Sequence, residues 1–285
     1  MNSKNMLKTG LLLAGLTALF AAVGNLFGGT TGMVAFLVLA LVINGATYWF
    51  SDRLALSMAR AHPVARHDAP QLYALVEELA MRARVPMPKV YVIEDPSPNA
   101  FATGRNPKHA AVAVTTGLMN LLDPAELRGV LAHEFAHITN RDILISTVAA
   151  TIAGAITMLA NVFQLGALFG QHDEDEEGGG LVGALVMLIM APIAATLIQL
   201  AISRAREFAA DATGAAICGQ PLALAGALRK LEQGTWLRPM EGNPATSHLY
   251  IVHPFAGGGA LRLFQTHPPI AERIARLEAM ALRMR

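Results

Sequence analysis

His133 and His137 stand four residues apart with Glu134 beside the first, in the run Leu131-Ala132-His133-Glu134-Phe135-Ala136-His137. On an α-helix that spacing puts both imidazoles on one face, roughly 5–6 Å apart. Two imidazoles so placed can share one ion at Zn–N distances of about 2.0–2.1 Å. Glu134 is then positioned to take a proton from water held at that ion, which is the chemistry of the H-E-x-x-H zinc peptidases. The surrounding sequence is that of a helix. Asp123 is its N-cap, Pro124 its first residue and Glu126 closes a capping box, while Leu127, Val130, Leu131 and Ile138 recur at helical spacing.

A catalytic zinc takes three protein ligands and leaves one position open. Candidates for the third are Glu207, Asp211, Glu94, Glu126, Asp142 and the remaining histidines. Glu207 is favoured because the last span continues into water as a helix, which aims it at the membrane surface where the histidines lie. Asp211, one turn further on the same face, can hold a ligand imidazole by its free N–H. From position alone both acids serve equally well as a solvated helix face paired with Arg204 and Arg206. His62, His67 and His109 fall in loops or turns, His172 in an acidic turn, and His248 and His253 flank a short apolar stretch.

The elements that must carry these groups include lipid-spanning ones. Hydrophobic residues make up 53% of the 285, and charged residues only 15%, against roughly 25% in ordinary soluble proteins. The shortage is local. Thr9 to Ser51 holds no Asp, Glu, Lys or Arg, and Ile143 to Ser203 holds only the acids of 173–177. Two apolar runs, Gly10 to Phe27 and Met33 to Phe50, are separated by Gly28-Gly29-Thr30-Thr31-Gly32, and the second ends in the aromatics Tyr48-Trp49-Phe50. A second pair, Ile143 to Phe169 and Leu181 to Ile202, is joined by the acidic loop around 172–177, to which no role is assigned. Each run is long enough to cross a bilayer.

Between the hairpins the composition is globular. Ala69 to Arg84 reads as a helix stopped by Pro86 and Pro88. Lys89 to Glu94 and Ala110 to Thr115 read as strands, with Asn99 to Thr103 extended between them. After the second hairpin come helices at Ser203 to Asp211 and Pro221 to Gln233. A last helix near Pro268-Pro269 buries Ile270, Ile274, Leu277 and Met280. The domain boundaries are therefore 1–52, 53–142, 143–203 and 204–285. Cys218 is the single cysteine, which excludes an internal disulfide and a Cys-rich zinc ribbon. No internal repeat or nucleic-acid motif is present.

All 22 Lys and Arg lie in 1–8, 53–142 or 204–285, and none in either proposed outer turn. The positive-inside rule then places both termini and both globular segments in the cytosol. With the acids of 173–177 set aside, the inner side carries 22 basic against 16 acidic residues, suited to an anionic leaflet.

The chain resembles the HtpX family of membrane-embedded zinc metallopeptidases, relatives of the CAAX prenyl endopeptidases. The resemblance runs through the early hairpin, Asn99-Ala100-Phe101, the H-E-x-x-H run, the second hairpin, Ser203 to Asp211, and Thr266-His267-Pro268-Pro269. It implies an integral membrane α-helical protein, four transmembrane helices in two hairpins, with an α+β zincin-like cytosolic catalytic domain. One Zn²⁺ per chain is implied, held by His133, His137 and Glu207, with Asp211 supporting and Glu134 catalytic. It further implies that His267 helps stabilise the transition state and that Asn99, Ala100 and Phe101 help bind substrate. The expected activity is endoproteolysis of misfolded or damaged membrane proteins at the cytosolic face of a bacterial inner membrane. A processing peptidase for one lipidated or membrane substrate is the nearest alternative. A metal transporter or sensor is a competing class, disfavoured because transport ligands normally lie within the spans and these contain no Asp, Glu, His, Lys or Arg.

Overall fold

A computed structural model describes residues 3–148, 204–237 and 268–284. The second apolar pair beyond residue 148, its acidic loop, and the histidines His172, His248, His253 and His267 lie outside the described residues.

Residues 3–58 form one long helical element, α1 (Ser3–Met58), broken at Gly28 and Gly29, where Gly29 takes φ 56°. The two halves fold back on each other. Asn44 Nδ2 donates to Leu13 O at 3.2 Å and to Thr17 Oγ1 at 2.7 Å, and the Phe20 and Phe36 rings lie 6.2 Å apart. Near the bend a Cβ on Gly24 would fall 2.4 Å from Gly32 O, so only glycine permits that approach. Leu7–Asn25 and Gly28–Phe50 are each long and apolar enough to cross a membrane. Leu41 and Val42 are 60% and 63% exposed, which in a pair of packed apolar helices fits contact with lipid. The second helix runs on past Phe50 to Met58, further than the apolar run predicts.

The globular part is built on a four-stranded sheet. Its strands are β1 (His62–Pro63), β2 (Lys89–Ile93), β3 (Ala100–Gly104) and β4 (Ala110–Thr115), in spatial order β1-β2-β4-β3. β2 and β4 run parallel and the outer pairings are antiparallel. Every residue of β3 and β4 is buried. One sheet face packs Val90, Val92, Ala102, Val112 and Val114 against α2 (Pro70–Ala83) and α4 (Pro124–Asn140). The other packs Phe101, Ala111 and Ala113 against Ala55 and Leu56 at the end of α1. Covering on both sides explains why these strands read as continuous apolar runs. A short helix, α3 (Thr116–Leu121), precedes α4.

α4 forms as its sequence predicts. Asp123 Oδ1 accepts from Ala125 N and Glu126 N, and Glu126 reaches back to Asp123 N at 3.0 Å, completing the capping box. Such a cap contributes about 1 kcal/mol. The rest is burial: Leu127, Val130, Leu131, Phe135 and Ile138 enter the main core, where truncating one such side chain costs about 2–5 kcal/mol. The helices α5 (Arg204–Cys218) and α6 (Pro221–Leu237) pack against α4, and α7 (Ile270–Arg283) packs against both of them. Residues 143–148, helical at the head of the third apolar run, send Leu144, Ile145 and Val148 into the apolar cluster of the first hairpin.

Candidate metal centre

α4 carries His133 and His137 on one face, as the spacing requires. α5 crosses it with nothing between the backbones. A Cβ on Gly214 would meet His133 N at 2.8 Å and His133 Cα at 2.9 Å. This contact fixes α5 so that Glu207, about two turns N-terminal to the crossing, overlooks the histidines. The two Nε2 atoms lie 3.2 Å apart, and the Glu207 carboxylate stands 3.8 Å from His133 Nε2 and 3.7 Å from His137 Nε2. Ligands about 2.0–2.1 Å from one tetrahedral ion are ~3.3 Å apart, so the triangle matches a zinc site. Among the described residues, His133, His137 and Glu207 are the group placed to share an ion.

The outer nitrogens show why this face wants a cation. His133 Nδ1 lies 3.0 Å from Asp211 Oδ1, and His137 Nδ1 lies 3.1 Å from Asp142 Oδ1. A carboxylate is an acceptor, so each Nδ1 carries the hydrogen and each Nε2 is left as a lone pair. Two imidazole lone pairs and the Glu207 carboxylate then converge, an arrangement that a shared proton or a metal ion satisfies.

The electrostatics agree. Burial, followed by the nearby Arg273 charge, holds His133 below the ordinary histidine value. Burial alone would lower His137 too, but the carboxylates of Asp142, Glu207 and Glu134 outweigh it and push it up to about 10. Burial, with Glu207 beside it, pushes Glu134 up to about 7, where a carboxyl group can both take and return a proton near neutral pH. Glu134 Oε2 also accepts from Ala102 N at 2.8 Å, which ties it to the outer edge of β3.

Arg273, on the first turn of α7, is the residue that sequence reasoning missed. It is 0% exposed. Its Nε and Nη2 donate to Asp211 Oδ2 and Oδ1 at 2.8 and 2.7 Å, and Nη1 stands 3.9 Å from Glu207 Oε2. Burial opposes ionisation of Asp211, but the Arg273 fork overrides it and holds the carboxyl at about 2. The signal was present: Arg273 lies three residues after Ile270 and four before Leu277, on the stripe that faces the core.

The other acids considered as ligands do not join the group. Asp142 instead holds the His137 ring. Glu126 serves the capping box and accepts from Lys230 Nζ at 2.5 Å. Glu94 is exposed, as are His62, His67 and His109. Asn99, Ala100 and Phe101 lie at and just before the start of β3, all at 2% exposure or less. The Asn99 side chain finds no hydrogen-bond partner among the described residues at either its oxygen or its nitrogen.

Residues 66–281 match the sequence pattern of Peptidase family M48. The chain belongs to that family. This M48 peptidase is 54% identical over 277 residues to a protease HtpX homologue of Syntrophobacter fumaroxidans, an alignment covering 96% of this chain and 98% of the other. It is 55% identical over 282 residues to the homologue of Persephonella marina, with 98% of each chain covered. To that of Pyrococcus furiosus it is 52% identical over 278 residues, covering 97% and 96%. Among solved structures, the crystal structure of S. mikatae Ste24p is similar with a TM-score of 0.50 at 20% identity. That match covers 94% of this chain and 62% of the other, so the likeness speaks for the fold. The M48 peptidase is thus a metallopeptidase of the HtpX type, a hydrolase, and its N-terminal apolar helices fit a membrane protein. M48 enzymes are in general zinc-dependent, and the ligand triangle above is where such an ion fits.

Proposed function

We propose that this M48 peptidase is a zinc endopeptidase that cleaves misfolded or damaged membrane proteins at the cytosolic face of a bacterial inner membrane. The observation that carries the reading is the convergence of His133, His137 and Glu207, with the Glu134 carboxylate held between that triangle and the β3 edge. One zinc per chain would supply Lewis-acid activation of water and of the scissile carbonyl. The residues of the chain do the rest. Asp211 and Asp142 fix the tautomers of the two ligand imidazoles. Glu134 takes a proton from the attacking water and delivers it to the leaving amine.

A peptide substrate would bind extended along β3. Asn99 O accepts from Thr115 N at 2.9 Å, so by the alternation of an antiparallel pair Ala100 and Ala102 turn their main-chain groups to the outer edge, where a substrate would displace Glu134 from Ala102 N. Strand addition there supplies main-chain hydrogen bonds irrespective of side chain, which suits a broad substrate range. The unpartnered Asn99 amide is available to a substrate main-chain group. His267 precedes the α7 turn that carries Arg273 to the site, which supports its role as a donor to the developing oxyanion. Cytosolic placement rests on the Lys and Arg distribution, and four spans rest on the two apolar pairs.

The test is Glu134→Gln in full-length protein reconstituted with a membrane-protein substrate. Cleavage should fall about 10²–10⁴-fold while one zinc per chain is retained. Undiminished fragment formation by mass spectrometry would refute the mechanism. Fragments from periplasmic segments alone would refute the placement.

A further inference from the structure

A second, chemically opposite cleft lies at the C-terminal ends of α2 and α4. It encloses about 550 Å³, within the roughly 300–1,000 Å³ of small-molecule sites. Among the described residues that line it, four are cationic and none is acidic: Arg84 after α2, Arg105 and Lys108 in the β3–β4 turn, and Arg141 after α4. Helix C-termini attract cations for a trivial reason, since each carries roughly −0.5 of a charge. Two helices end here, so they account for about one of the four positive charges.

The position of the cleft names its occupant. Arg105 stacks over the Trp49 ring at 4.8 Å and donates to Trp49 O at 3.3 Å, at the end of the second apolar helix. Trp49 is itself 57% exposed, as an aromatic at the bilayer interface is. On another wall are Ile143 and Leu144, and Leu144 also packs into the hairpin cluster with Leu12 and Phe20. The basic groups therefore face headgroup level while the adjoining wall leads into the hydrocarbon.

We propose that this cleft binds the phosphodiester headgroup of an anionic phospholipid, with an acyl chain along Ile143 and Leu144. The lipid fastens the β3–β4 turn and the end of α4 to the membrane surface, beside the metal centre but outside it.

Native mass spectrometry of the full chain released from detergent tests this, with dioleoyl phosphatidylglycerol, dioleoyl phosphatidylcholine and sn-glycerol 3-phosphate as probes. One phosphatidylglycerol should be retained at least tenfold more tightly than phosphatidylcholine. Replacing Arg84→Asn, Lys108→Gln and Arg141→Asn together should remove that preference, asparagine being chosen where the backbone is left-handed. A matched loss of three charges elsewhere, at Arg66, Arg229 and Arg283, should leave it within twofold. Should the triple variant fold poorly, Lys108→Glu alone, on an exposed turn, should weaken phosphatidylglycerol retention at least threefold. Equal retention of both lipids by the wild type, no change in the cleft variants, or glycerol phosphate binding as tightly as the lipid would each overturn the proposal.

Discussion

The two histidines of the metal centre differ in how their rings are held. His137 is oriented locally: α4 ends at Asn140, Arg141 turns the chain, and Asp142 N bonds His137 O at 3.1 Å while its carboxylate holds the ring. His133 is oriented by parts far apart in the chain. Its partner Asp211 comes from α5, and Asp211 is gripped by Arg273 from α7. His133 is also sealed from solvent, whereas the His137 side chain keeps 17% exposure. One imidazole is thus set as soon as its helix is capped, and the other only once three helices have assembled.

Arg273→Met should break the comparison most severely. It leaves Asp211 a buried carboxylate without its counter-charge, costing about 3–5 kcal/mol, and thermal unfolding of the purified protein should show it. Asp211→Asn should come next, weakening zinc by up to about 100-fold, with Asp142→Asn closer to tenfold because solvent can partly replace its role. Competitive chelator titration measures both, and equal losses would show that the two holders are equivalent.

Acid sharpens the difference further. The folded Asp211 carboxyl sits at about 2, below its ordinary 3.8, so its contribution is full above about pH 4 and is lost as pH falls through about 2. That contribution is roughly 2 kcal/mol. Between pH 5 and pH 2.5 the unfolding midpoint of metal-free protein should therefore fall more for wild type than for Asp211→Asn. Smallest is Asp123→Ala, which removes the α4 cap, costs about 1 kcal/mol and should affect zinc binding at His133 and His137 alike.

What the sequence revealed follows the same division. The H-E-x-x-H helix, its capping box and the glycine bend of the first hairpin are written in contiguous residues, and each was found. Glu207 needed the family resemblance, because helix continuity alone could not exclude a solvated face. Asp142 stood among the candidate ligands, since sequence does not say whether an acid five residues from His137 faces the ion or the back of the ring. Arg273 escaped because an arginine on an apolar stripe looks like an interruption until its partner is known. The strand order was also hidden. β3 and β4 are apolar throughout, so alternation identifies neither the edge strand nor which face is covered by α1.

Gly214 has one more consequence. With α5 resting on the backbone of His133, the gap that Glu207 must bridge is set by main-chain thickness alone. A side chain at that seat acts as a shim: alanine, then valine, would lift the carboxylate from the imidazoles in steps. The distance from Glu207 to the paired imidazoles is thus calibrated by a residue that contributes no atoms beyond its own backbone.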